Sequence, residues 1–504
     1  VLLADWIVMG LYFLLMVGIG LWSFRQIKGT QDFFAAGGKM PWWLSGISHH
    51  MSGYSAAVFV AYAGVAYQYG FTIYIWWAVP ISIAVLVGAI WIAPRWARLR
   101  QRLNIESPME YLSMRYNLPT QQLMAWSGVL LKLFDVGAKW AAIAVILNVF
   151  AGVSITAGII ISGFISLFYI TIGGLWADAL TDFAQFVVQL IAGVAMFVIV
   201  LAKLGGISAV TGIWDQLPPH HSSAFVGPYT IGFILAYLLI DFLSYNGGTW
   251  NLAQRFIAAP RGSDARKAAF LSAALYLIWP LVLFFPMWAA PLFYPSLADP
   301  TQSYSVMAKD LLPPGLVGLV LASMFAHTMA MTTSDANAVT SVFTRDILPV
   351  LSRKFRSLTG KASLRTARLT TVTFTVLTLI VAINADSFGG ILDLLIVWFG
   401  ALVGPISIPM LLGLLPAFRH SDSIAAIVSW VGGILTFAIV KYAFIAGTAT
   451  TVAAPVLVSA VLFIFIGWLK RNQDVKPEVI DLIDSLNQDT DEPTNPPSAG
   501  INAG

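Results

Sequence analysis

Apolar stretches about as long as a bilayer is thick recur along this chain almost from end to end. A helix of about 20 apolar residues crosses a ~30 Å hydrocarbon core. Thirteen such segments can be laid out, near 5–24, 43–68, 72–94, 119–150, 155–172, 179–203, 230–250, 268–292, 312–344, 366–384, 389–416, 422–441 and 451–470. Composition agrees. Of 504 residues, 58% are hydrophobic and only 10% charged, with a mean hydropathy of +0.80, whereas a soluble globular chain carries roughly 25% charged residues. In hydrocarbon the backbone must satisfy its own hydrogen bonds, which favours helices. An all-α polytopic membrane protein is therefore expected.

The first stretch, DWIVMGLYFLLMVGIGLWSF, is too long for a signal-peptide core and lacks a basic start and a small-residue cleavage site, so it reads as a span. Cysteine is absent, which excludes disulfides and thiolate metal sites. Placing the N-terminus outside gathers the basic residues on the inner face, from Arg25, Lys28 and Lys39 through Arg95–Arg102, Arg255–Lys267 and Arg345–Arg368 to Lys470–Lys476. Only Lys203 and Lys309 remain outside. That asymmetry is the positive-inside pattern, so a cell-membrane protein with a cytoplasmic C-terminus is expected. On this map every arginine, Arg255 included, lies in a loop or at a membrane edge. The acidic tail 472–504 reads as cytosolic and mostly disordered, with VIDLIDSL as a possible short helix.

Polar groups interrupt several spans. In PWWLSGISHHMSGYSAAVFVAYAG (41–64), Ser48, His49, His50, Ser52, Gly53, Tyr54 and Ser55 offer a point of unwinding. Unwound backbone at membrane depth is tolerated where it lines a cavity or holds an ion; a small-residue packing seam is the plainer alternative. FAHTMAMTTSDANAVTS (325–341) packs His327, Thr332, Thr333, Ser334, Asp335 and Asn337 into three turns. Asp178 and Asp182 share a helix face at i,i+4, and Lys132, Asp135 and Lys139 share another. The second trio reads equally as a self-neutralising cluster, and Asp241 reads equally as a local cap.

DFFAAGGKMPWW (32–43), GGLWADALTDFAQ (173–185), WNLAQRFIAA (250–259) followed by SDARKAA, and the polar helix ending VFTRDIL (342–348) together resemble the sodium:solute symporter family, over most of the chain to about residue 415. The resemblance implies two inverted five-helix repeats with discontinuous first helices, 43–68 and 230–250. It implies a transport core at 43–416, preceded by one span and its loop (1–42) and followed by two peripheral spans (417–471) and the tail (472–504). It implies a transporter rather than an enzyme, with Na⁺ as coupling ion and a small polar solute as cargo. Nothing in the chain calls for nucleic acid or for an obligate protein partner beyond the lipid bilayer.

Counting back from FTRDI, the family's usual hydroxyl pair falls on Ala330 and Met331, which cannot ligate Na⁺ through their side chains. The resemblance then implies the second sodium position of some members, here Asp182, Thr333 and Ser334, with backbone oxygen from Met51 and Tyr54. Proton coupling through Asp182, Asp335 or the histidine pair is the alternative. For the solute, the candidate walls are His50, Ser55, Trp76, Trp77, Asp135, Asn246, Trp250, Asn251 and Trp398. Aromatic faces, amides and a carboxylate suit a sugar or neutral polyol, and no unpaired core arginine is expected to clamp an organic anion. An organic anion or amino acid is the second reading, and a membrane solute sensor a distant third.

Overall fold

Two helices stop inside the bundle and restart, and the fold is organised around those two breaks. The computed structural model describes residues 2–388, 401, 403–445 and 447–489. The first broken helix runs Trp42–Met51, unwinds, passes through a wide turn at Val58–Tyr62 and resumes as Ala63–Tyr69. The second runs Ile231–Leu243, widens over Ser244–Gly248 and restarts as Asn251–Ile257. Gly247 at φ 119° and Trp250 at φ 67° make the second break, a left-handed geometry that glycine takes freely and tryptophan only when packing holds it.

The freed backbone groups are met by side chains. The Trp96 indole donates to the Asn246 carbonyl at 2.9 Å, and the Asn246 amide donates to the carbonyls of Ala84 and Phe242 at 3.0 and 2.8 Å. At the first break, Tyr245 donates to the Gly53 carbonyl at 2.7 Å and Asn251 to that of Ser52 at 3.2 Å. Each break is thus tied to the other. Gly53 must be glycine here, because a Cβ would lie 1.8 Å from the Tyr276 hydroxyl.

Long helices surround the pair. Leu118–Ala151 is capped by the Asn117 side chain and Ile155–Lys203 by that of Ser154. The second of these covers two expected spans, bent at Gly174 (φ 52°), where the Phe33 carbonyl leaves no room for a Cβ. Leu316–Val342 packs against both and is buried along nearly its whole length. Nine helical segments among the described residues are long and apolar enough to cross a membrane. Of the other expected spans, 43–68 is broken, Leu118–Ala151 carries buried charge, Ile155–Phe168 is short, and 389–416 lies partly outside the described residues.

The tail departs from expectation. Residues 472–489 are not loose: Pro477–Ser485 is a helix whose Leu482 joins the core. Arg98 donates to the Leu486 carbonyl at 2.9 Å and pairs with Asp489 at 3.0 Å, and Asp489 also accepts from Gly262 N–H at 2.7 Å. An amphipathic stretch beside a basic surface had a place to dock. The rest of the tail lies outside the described residues.

Candidate functional site

Beside the first break, two acids and one base are sealed in the interior. Arg255 is fully buried on the restarted helix Asn251–Ile257. Its Nη2 donates to Asp178 Oδ2 at 2.5 Å, to Asp182 Oδ2 at 3.3 Å, to Ser52 Oγ at 3.0 Å and to Ser334 Oγ, while its Nε donates to Ser48 Oγ at 3.0 Å. Asp178 is fully engaged, accepting from Thr333 at 2.7 Å and Ser334 at 2.8 Å as well. Asp182 Oδ2 accepts from Ser48 at 2.5 Å and Ser52 at 3.1 Å, but its other oxygen, Oδ1, is buried with no hydrogen bond. This corrects the sequence-based placement of Arg255 in a basic loop. The Gly-Gly pair ends one helix and lets another begin, which carries Arg255 back inside.

One residue further along the Leu316–Val342 helix lies a second cluster. Asp335 accepts from Lys132 and Lys139 at 2.6 Å each, and Asp135 accepts from the same two lysines at 3.2 and 2.7 Å. The self-neutralising reading of the lysine trio therefore describes the contacts, with Asp335 as its fourth member. Asp135 Oδ2 accepts from both lysines, and its Oδ1 is buried without a hydrogen bond.

On the other side of the breaks a wall of rings runs continuously. Tyr54 meets Trp77 at 5.4 Å, Trp77 meets Tyr62 at 5.5 Å, Tyr62 meets Trp76 at 5.5 Å and Trp76 meets Tyr237 at 5.1 Å between centroids. The Tyr54 hydroxyl contacts His50 Nε2 at 3.1 Å and accepts from Gln189 at 2.9 Å. Buried polar atoms without a partner collect along this wall: both ring nitrogens of His327, Gln189 Oε1, Trp76 Nε1 and Asp241 Oδ2. Buried atoms of that kind call for a ligand or water.

Of the residues named from sequence for the solute, His50, Trp76 and Trp77 share this wall, and Ser55 lies at the first break. Asn246 and Asn251 hold the breaks themselves, and Trp250 packs its ring against Gly128. Trp398 lies outside the described residues. Of those named for sodium, Asp182, Thr333 and Ser334 meet in the Arg255 nest, and the carbonyls of Met51 and Tyr54 face the first break without a donor among the described residues. Sequence reasoning missed Arg255, Ser48 and Ser52 as members of the nest. The glycine pair at 247–248, six residues before Gln254, was the signal for the first.

A profile described as the sodium:solute symporter family matches residues 33–433. The chain belongs to that family. Its members are transporters rather than enzymes, coupled to Na⁺. Relatives include the sodium/glucose cotransporter of Vibrio parahaemolyticus, 25% identical over 68% of each chain. The human sodium/iodide cotransporter is 26% identical over 84% of this chain and 68% of its own. A solved Na⁺-coupled sialic acid symporter, substrate-bound and outward-open, superposes with a TM-score of 0.81 at 19% identity, covering 93% of this chain and 98% of that one. The shared fold is the expected one, two inverted repeats with broken first helices.

Proposed function

We propose that this chain imports a small neutral polyol or sugar together with Na⁺, by rocking of the broken-helix bundle against the long helices around it. The charge of the Arg255 nest carries the ion assignment. One guanidinium faces two carboxylates, a formal balance of −1, and the excess sits beside an acid oxygen with no donor. A buried, uncompensated carboxylate oxygen is costly, and a monovalent cation at Asp182 Oδ1 completes both charge and coordination. Na⁺ suits an all-oxygen shell, which Thr333 and the carbonyls of Met51 and Tyr54 would complete. Arg255 itself holds Asp182 Oδ2 and Ser334, so the ion shares the nest with the guanidinium instead of replacing it.

The ring wall from Tyr54 to Tyr237 supports the solute assignment, since flat aromatic faces match the C–H faces of a sugar or cyclitol. Among the relatives, the V. parahaemolyticus protein is named for glucose and a rabbit one for myo-inositol. Arg255 is committed to two acids, so it is no clamp for an organic anion. The basic end of the bundle, carrying Arg95, Arg98 and Arg345, is assigned to the cytoplasm. Uptake of radiolabelled D-glucose and myo-inositol into proteoliposomes tests the reading: an inward Na⁺ gradient drives accumulation and a proton gradient alone does not. Accumulation driven only by protons would overturn the ion assignment, and accumulation of pyruvate or iodide in place of both probes would overturn the solute.

A further inference from the structure

Asp241 stands apart from every other buried acid. Among the buried carboxylates of the described residues, it alone accepts no hydrogen bond and joins no ion pair. The others are provided for: Asp178 by Thr333, Ser334 and Arg255, Asp346 by Ser107 and Gln121, Asp5 by backbone N–H groups. Asp241 is only 5% exposed, and its Oδ2 is buried without a donor. Folding has not given this group a partner, so the partner arrives from elsewhere.

Its place in the fold says what that partner is. Tyr237, Asp241 and Tyr245 follow at i,i+4 spacing, which sets them on one helix face. Tyr237 stacks edge-on to Trp76 at 5.1 Å, at the end of the ring wall. Tyr245 reaches across to the Gly53 carbonyl at the first break. The unpartnered Trp76 Nε1 adds a donor on the same wall. The acid therefore lies between the aromatic wall and the two helix breaks, where a bound solute would sit.

We propose that Asp241 is the polar anchor of the solute site and sets its charge selectivity. The carboxylate accepts two hydrogen bonds from adjacent donors of the solute while Trp76 and Tyr237 cover its apolar edge. Vicinal hydroxyls or an ammonium supply such donors; a carboxylate or a halide does not, and is repelled. The role first considered for Asp135 thus belongs to Asp241. The inference rests on the solute site proposed above.

The test uses the full chain in proteoliposomes under an inward Na⁺ gradient, with D-glucose, myo-inositol, D-glucosamine, pyruvate and iodide as probes. The wild type accumulates at least one hydroxyl or amine probe and neither anion. The hydroxyl probes against D-glucosamine show which donor is read. For the accepted probe, Asp241→Asn raises KM by about tenfold or more, the loss of one charge-assisted pair of hydrogen bonds, and leaves the Na⁺ concentration for half-activation within twofold. Asp241→Ser, read in the same way, serves if the first variant is not recovered folded. Melting provides an independent readout: the accepted probe stabilises the wild type and not the variants, while the probe-free variants melt no lower than the wild type. Unchanged KM in both variants would overturn the role of Asp241 and leave the polyol reading standing. Wild-type uptake of an anion alone would overturn that reading and this inference with it.

Discussion

Two buried charge clusters touch at consecutive residues, Ser334 and Asp335, and they are built on opposite plans. The quartet of Lys132, Asp135, Lys139 and Asp335 sets two positive groups against two negative ones, each lysine bridging both acids within 3.2 Å. Its formal charges balance, although Asp135 Oδ1 is buried there without a hydrogen bond. The Arg255 nest sets one positive group against two acids and leaves Asp182 Oδ1 without a donor. Its formal balance is −1, the excess that the proposed Na⁺ offsets. The quartet joins the Leu118–Ala151 and Leu316–Val342 helices, while the nest joins Leu316–Val342 to both broken helices. A closed cluster thus fixes helices to each other, and the open one, on the reading proposed above, stands where the ion binds.

The largest effect is expected from breaking the closed cluster. Lys139→Met strands a buried carboxylate and costs about 3–5 kcal/mol, read as a lowered melting temperature in detergent whether or not Na⁺ is present. Adding Asp135→Leu leaves the Lys132–Asp335 pair at 2.6 Å intact and recovers most of that loss. Failure of the double variant to recover would show that the quartet is more than paired charge.

In the open cluster the expectation reverses. Asp182→Asn removes the excess charge, so the Na⁺-free protein is no less stable, but Na⁺ no longer raises its melting temperature and half-activation by Na⁺ weakens on the order of tenfold or more. Asp178→Asn also brings the nest to neutrality and weakens Na⁺ binding. Arg255→Ala strands two acids and destabilises by about 3–5 kcal/mol; combining it with Asp178→Asn returns the balance to −1 and restores part of the stability.

A third cluster, at the basic end, sharpens the contrast with a smaller effect. Arg345 pairs with Glu110 at 2.6 Å and lies 3.6 Å from Glu106, again one base to two acids. Here a proton meets the excess: burial, only partly offset by Arg345, pushes Glu106 from 4.5 up to about 7. Because the folded chain holds that proton more tightly than the unfolded one, stability is highest below pH 4.5 on this group's behalf. It falls as pH rises through about 7. Glu106→Gln flattens that slope in melting curves taken between pH 5 and 8, whereas a slope equal to wild type would assign the dependence elsewhere.

The helical class and the two broken helices were legible in sequence, because apolar length and glycine position act locally; the grouping of Asp182, Thr333 and Ser334 came from the family resemblance, and the structure brings them together around Arg255 and Asp178. What was not legible depended on helices meeting. Arg255 looked like part of a basic loop until the 247–248 glycines turned the chain back inward. Asp135 was open to two readings, and the sharing of its lysines with Asp335, 200 residues away, could not be read from one helix. Asp241 was open between a local cap and a functional acid, since the absence of a partner cannot be read from one helix alone. The docked helix Pro477–Ser485 was foreseen as a helix but not as a contact, because its basic partners Arg95 and Arg98 lie far off in sequence.

Equilibrium binding of radioactive Na⁺ to the purified protein tests the open cluster most directly. One Na⁺ per chain is predicted for the wild type, and none at the same concentration for Asp182→Asn. Undiminished Na⁺ binding by Asp182→Asn would contradict the assignment of the ion to the Arg255 nest.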